Sequence, residues 1–167
     1  MPDLLSHALF AYAFGTALSV RYDWLTPQWV TALMAGSLVP DIDKISLFVS
    51  DPMMERVLGT PFSWEVIHIP IGAIILCGLG GLAIAAPHRR RAVTLLVIGA
   101  ISHFALDQLA IFTTGYSYPL LWPLTNYHFP AGDLYQSSDR LPVLIMAVLA
   151  VVAYRFRGHR QERNRND

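Results

Sequence analysis

The chain has 167 residues, with 12 basic and 12 acidic side chains and no formal net charge. It is 54% hydrophobic and only 14% charged, with a mean hydropathy of +0.43, whereas soluble domains carry roughly 25% charged residues. This balance excludes an ordinary soluble domain, gives no reason to expect direct nucleic-acid binding, and points to one integral membrane domain.

Five apolar segments follow in chain order. The first covers residues 4–20. No basic region precedes it, so it reads as a retained helix and not a cleaved signal peptide. The second, residues 28–40, is short and ends in Pro40, Asp41 and Asp43. The third, residues 66–86, holds Cys77, the only cysteine, which reads as a small packing residue. The fourth covers residues 92–112 and the fifth residues 141–156. Small residues such as Gly36, Gly72 and Gly99 recur inside them, as close helix packing in lipid favours. The expectation is an all-α, polytopic membrane protein with about five transmembrane helices. Residues 1–156 form the membrane domain and residues 157–167 a basic, polar, cytoplasmic tail.

Arginines orient the chain, because short loops rich in Lys and Arg stay in the cytoplasm. Residues 89–91 and the tail beyond Tyr154 carry them. The C-terminus is then cytoplasmic and the loop 113–140 lies outside. Tyr116, Tyr118, Trp122 and Tyr127 in that loop read as an interfacial aromatic belt.

His103 and Asp107 sit four residues apart in the fourth segment, hence on one helix face. An imidazole and a carboxylate in such a segment are costly unless they are paired, hydrated or bound. The arginine-based topology carries His7, Asp41, Asp43 and His68 to the same outer side. Asp107 lies about 24 Å along its helix from the cytoplasmic loop. Three imidazoles with two or three carboxylates are metal chemistry, suited to Zn²⁺ and also to Mn²⁺ or Fe²⁺. His7, Asp41, His68, His103 and Asp107 are the expected ligands. Asp43 is the expected assistant for water activation or a second metal, although Lys44 stands next to it and could pair with it. Glu65, His128 and Asp133 are second-tier candidates, and His88 and His159 belong to the basic segments. There is no HExxH helix, no Gly-x-Ser-x-Gly elbow and no phosphate-binding Gly-x-x-x-x-Gly-Lys loop.

The early His7, the stretch from Gly36 through Pro40-Asp41-Ile42-Asp43, His68, and Ser102-His103 with Asp107 resemble the LexA-binding, inner-membrane-associated metal-dependent hydrolase family. The stretch from Gly115 to Leu124 is similar too, so that the likeness covers residues 7–129. It implies a membrane-bound hydrolase using a divalent metal. A more distant similarity to zinc-dependent phospholipase C would carry a metal role to those five residues and favour a phosphoester substrate. The family's His-Arg-x-x-Thr-His pattern before the third-segment histidine is here Ser63-Trp64-Glu65-Val66-Ile67-His68, without the first His or the Arg. No second His-x-x-x-Glu helix follows His103 and Asp107.

The expected function is metal-dependent hydrolysis of a phosphoester or lipid-linked substrate at the outer interface of a prokaryotic cytoplasmic (inner) membrane, with membrane lipids as surroundings. A non-enzymatic protein with a structural metal or polar site, or an ion- or proton-coupled transporter, are the rivals. An open metal position favours the enzyme and a closed one the scaffold.

Overall fold

The computed structural model describes residues 4–136 and 139–166. Among them all regular structure is helical: α1 (Leu4–Ser19), α2 (Pro27–Leu38), α3 (Asp51–Leu58), α4 (Pro70–Leu82), α5 (Ala86–Asp107) and α6 (Leu141–Asn166). Two 3₁₀ segments, Pro40–Leu47 and Trp64–His68, join them. α1 packs on α2 and α6, α2 on α5, and α4 on α5. One core cluster joins α1, α2 and α5 through Ala11, Val30, Leu33 and Leu95. Another joins α4 and α5 through Ala73, Cys77, Ala100 and Phe104. Cys77 is a buried packing residue.

Proline chemistry shortens two of the expected segments. Ile69 precedes Pro70 and is held extended (φ −121°, ψ 152°), so the third segment divides into a 3₁₀ turn and a 13-residue α4. Pro40 has no N–H to return to the Gly36 carbonyl. Val39 N–H takes that carbonyl at 3.2 Å, and the chain tightens into the 3₁₀ segment carrying Asp41 and Asp43.

The fourth segment is displaced towards its N-terminus. α5 begins at Ala86, so residues 89–91 lie in its first turns and not in a loop. Arg89 Nε donates to the Gly81 carbonyl at 3.0 Å, placing a cation on the C-terminal end of α4. α5 stops at Asp107, five residues before the expected end. α6 runs on as helix to Asn166, through the stretch expected as a separate tail. α3 lies where no helix was expected. It starts after Ser50, with Pro52 in its first turn, and ends at Gly59, whose φ of 69° is the left-handed conformation glycine permits.

Helix length alone does not carry five spans. Among the described residues only Leu141–Arg160 is long and apolar enough to cross a membrane; Leu4–Ser19 and Pro70–Leu82 are shorter apolar helices.

The α2–α5 crossing is unusually close. A Cβ on Gly36 would collide with the Leu96 backbone, and one on Gly99 with the backbone of Leu33 and Ser37. Only two facing glycines permit this approach, and it brings the end of α2 against the end of α5, where the polar residues meet.

Candidate metal centre

Asp107 closes α5 and is the hub of a buried polar cluster. Its Oδ2 lies 3.0 Å from His68 Nε2 and 3.2 Å from His103 Nε2, and its Oδ1 lies 3.4 Å from His7 Nε2. His7 comes from the first turn of α1, His68 from the 3₁₀ turn before α4, and His103 from one helical turn before Asp107. All three imidazoles are at most 1% exposed, and Asp107 is 2% exposed. His7, His103 and Asp107 each offer an atom within 4.8 Å of the others, and so do Asp41, His68 and His103. The five residues expected as ligands therefore converge in space.

Backbone carbonyls fix two of the histidines. His103 Nδ1 lies 2.8 Å from the Ser37 carbonyl, which can only accept, so Nδ1 carries the proton. His68 Nδ1 faces two acceptors, the Pro40 carbonyl at 3.2 Å and Asp43 Oδ2 at 3.3 Å, and donates in the same way. In neutral rings the Nε2 atoms are then bare lone pairs, and both face Asp107 Oδ2. Acceptors do not crowd together without a proton or a cation between them. The His103 and His7 pairs with Asp107 are also out of hydrogen-bond alignment. Their 3.2 and 3.4 Å separations match the edge of a tetrahedron with metal–ligand bonds of about 2.0–2.1 Å, which is about 3.3–3.4 Å.

Charge points the same way. Asp41, Asp43 and Asp107 meet one ammonium, Lys44, whose Nζ lies 2.6 Å from Asp41 Oδ1. Lys44 thus pairs with Asp41 and not with its neighbour Asp43. The remaining two negative charges suit a divalent cation, and Asp41 Oδ2 and Asp43 Oδ1 have no hydrogen-bond partner among the described residues. The Asp43 side chain is 20% exposed, the most accessible carboxylate of the cluster, so it stands at the mouth.

Tyr118 forms part of the wall. Its ring lies 4.7 Å from that of His68. Burial first, and then the carboxylates of Asp107, Asp43, Glu65 and Asp41, push its phenol above the usual tyrosine range, so it stays protonated. Sequence reading placed Tyr118 in an aromatic belt and missed this position. It also missed the Ser37 and Pro40 carbonyls, since backbone acceptors leave no mark in side-chain spacing. Of the second-tier residues, His128 Nδ1 is taken by the Ser117 carbonyl at 2.8 Å. Asp133 is exposed, with φ 49°, and Glu65 is exposed and acts on Tyr118 through its charge.

The chain matches the model of the YdjM inner membrane protein family over residues 1–165. It belongs to that family. Membership in YdjM bears out the membrane localisation and the inner-membrane part of the sequence resemblance. It carries no statement about hydrolysis, zinc or phospholipase C. No curated protein and no solved structure matches the chain. In this YdjM protein the polar cluster therefore has to be read from its own chemistry.

Proposed function

We propose that this protein is an integral inner-membrane, metal-dependent hydrolase that acts on a phosphoester or lipid-linked substrate at the outer interface, with its C-terminus in the cytoplasm. The observation that carries the reading is the meeting of three imidazole Nε2 atoms on one buried carboxylate, within 3.0–3.4 Å, with Asp43 at the rim.

His7, His68, His103, Asp41 and Asp107 would hold one divalent cation, with zinc the best match to the donor set and separations. Both ligand groups pass through His103, and its Nδ1 is occupied, so they describe one centre. A bound cation would supply Lewis-acid polarisation of a phosphoryl oxygen and of water. Asp43, partly exposed and with a free Oδ1 among the described residues, would take the proton from the attacking water. Lys44 would hold Asp41 in place from the solvent side.

The way the helix ends meet supports membrane crossing. The cluster gathers the start of α1, the end of α2, the turn before α4 and the end of α5. Consecutive long helices therefore alternate in direction. α2 and α4 are about 18–20 Å long at 1.5 Å per residue, short of the roughly 30 Å hydrocarbon core. Their ends stop at the polar centre, inside the bundle, where irregular backbone is tolerated.

A second reading, a structural metal without turnover, is favoured by the near-complete burial of the five ligands. Metal analysis of the purified protein, combined with a phosphoester and lipid hydrolysis screen, tests both. Near-stoichiometric metal with turnover supports the hydrolase. Metal without turnover on any ester class assigns the structural role. Metal content no different from that of the His103→Ala and Asp107→Ala variants removes the centre altogether.

A further inference from the structure

At the opposite end of the bundle from the polar cluster, a cavity of about 370 Å³ lies between α1, α2 and α6. Its polar lining is Thr16, Thr31 and Arg157, and its wall includes Tyr12, Met34 and Tyr154. The same three wall residues line a second, apolar groove of about 470 Å³, which continues along α1 and α6 past Leu9, Ala8 and Val151 to Leu5. The two cavities adjoin at these three residues, one with a cationic end and the other apolar.

Two observations point to a ligand at the polar end. Thr16 is 1% exposed, and its hydroxyl has no partner among the described residues; buried hydroxyls are nearly always satisfied. Arg157 has no carboxylate within ion-pair distance among those residues. The depth is also right. From Thr16 to Leu5 is about 16 Å along α1, close to half of the roughly 30 Å bilayer core. The Arg91 guanidinium lies 5.1 Å from the Trp24 ring and 5.2 Å from the Trp29 ring. Those tryptophans end the α1–α2 connection and begin α2, and basic–aromatic clusters of this kind settle at headgroup level.

We propose that the two cavities together bind one anionic phospholipid, with its phosphate at Arg157 and the Thr16 hydroxyl and an acyl chain along the α1–α6 groove. Free phosphate shares the headgroup chemistry but would leave the apolar groove unfilled. The site is separate from the metal centre, since His7 and Thr16 are about 14 Å apart along α1.

The test is native mass spectrometry of the full-length protein in detergent, titrated separately with phosphatidylglycerol, phosphatidylcholine and inorganic phosphate. The expected result is one retained phosphatidylglycerol, at least tenfold weaker phosphatidylcholine, and no retained phosphate. Arg157→Gln should weaken phosphatidylglycerol at least tenfold. Val151→Trp, a substitution at an exposed groove position, should block the acyl path and lower both lipids. Circular dichroism melting confirms that each variant is folded. Equal affinity for the two lipids, retention of phosphate alone, or wild-type binding by both folded variants overturns the proposal.

Discussion

The rings of His7 and His103 lie face to face, with centroids 3.7 Å apart and planes 15° from parallel. Both present Nε2 to the same Asp107 carboxylate. A cation shared by the two Nε2 atoms and that carboxylate would hold both rings in this stack. The two rings are held differently. His103 is fixed by the Ser37 carbonyl, whereas His7 Nδ1 has no partner among the described residues and takes its plane from the stack. His103→Ala therefore removes one ligand and the platform of another, while His7→Ala removes one ligand. The His103 variant should lose more metal affinity than the His7 variant, and more than the roughly 10–100-fold typical of a lost outer partner. Titration with a competing zinc dye on both variants measures the order. The reverse order would show that the stack does not hold His7.

Asp43 should behave differently from the five ligands. Its Oδ2 supports the His68 ring at 3.3 Å, and its Oδ1 is buried with no hydrogen-bond partner among the described residues. Asp43→Asn keeps the shape but removes the charge and basicity. Metal affinity should fall by about 10–100-fold, the range for an outer-shell partner. At saturating metal, kcat on whichever ester the screen finds should still fall by about 10²–10⁴-fold, as for a lost general base. A variant that recovers full kcat once metal is saturating would reduce Asp43 to a support for His68.

The residues of this centre were legible in the sequence because their cost is. His103 and Asp107 stand out in an apolar run, and the arginine count put His7, Asp41 and His68 at the same level without any knowledge of packing. Pairings were less legible. Lys44 was placed beside Asp43 by adjacency, but a 3₁₀ turn puts residues three apart on one edge, so it meets Asp41. The 64–68 turn and the short α4 follow from Pro70, although an apolar run from 66 to 86 reads as one helix by hydropathy. α3 was missed because its eight residues bury nothing and only Pro52 in its first turn and Gly59 at its end mark it. Tyr118 reached His68 through loop 113–136, whose path no periodicity describes.

The close α2–α5 crossing should be needed for the centre as well as for stability. Gly99→Ala puts a methyl group into the backbone of Leu33 and Ser37. The helices must part by about 1 Å or more, at a cost at or above the roughly 1–3 kcal/mol of ordinary overpacking. The movement also draws the Ser37 carbonyl away from His103 Nδ1. The expected outcome is a lower midpoint of thermal unfolding in detergent together with weaker metal binding. Gly78→Ala, where a Cβ would meet nothing, serves as the matched control and should lower neither. Equal behaviour of the two variants would mean that the crossing has room to spare.

Orientation is the remaining link between the cluster and any substrate. The basic end of the bundle holds Arg89, Arg90 and Arg91 in the first turns of α5 and the arginines late in α6. The polar cluster sits at the far end of α5, about 24–27 Å away. Positive residues remain in the cytoplasm, so the metal centre should open to the outside. α3 fits that side: Phe48, Met53, Val57 and Leu58 are exposed around it, as an interfacial helix requires. A reporter fused after residue 167 should be active only in the cytoplasm. A reporter inserted at Tyr127, in the loop beyond α5, should be active only outside. Thiol labelling of a Tyr127→Cys variant in intact cells gives an independent reading, with buried Cys77 as the silent background. If the two reporters exchange compartments, the centre faces the cytoplasm and a cytoplasmic ester becomes the substrate to test.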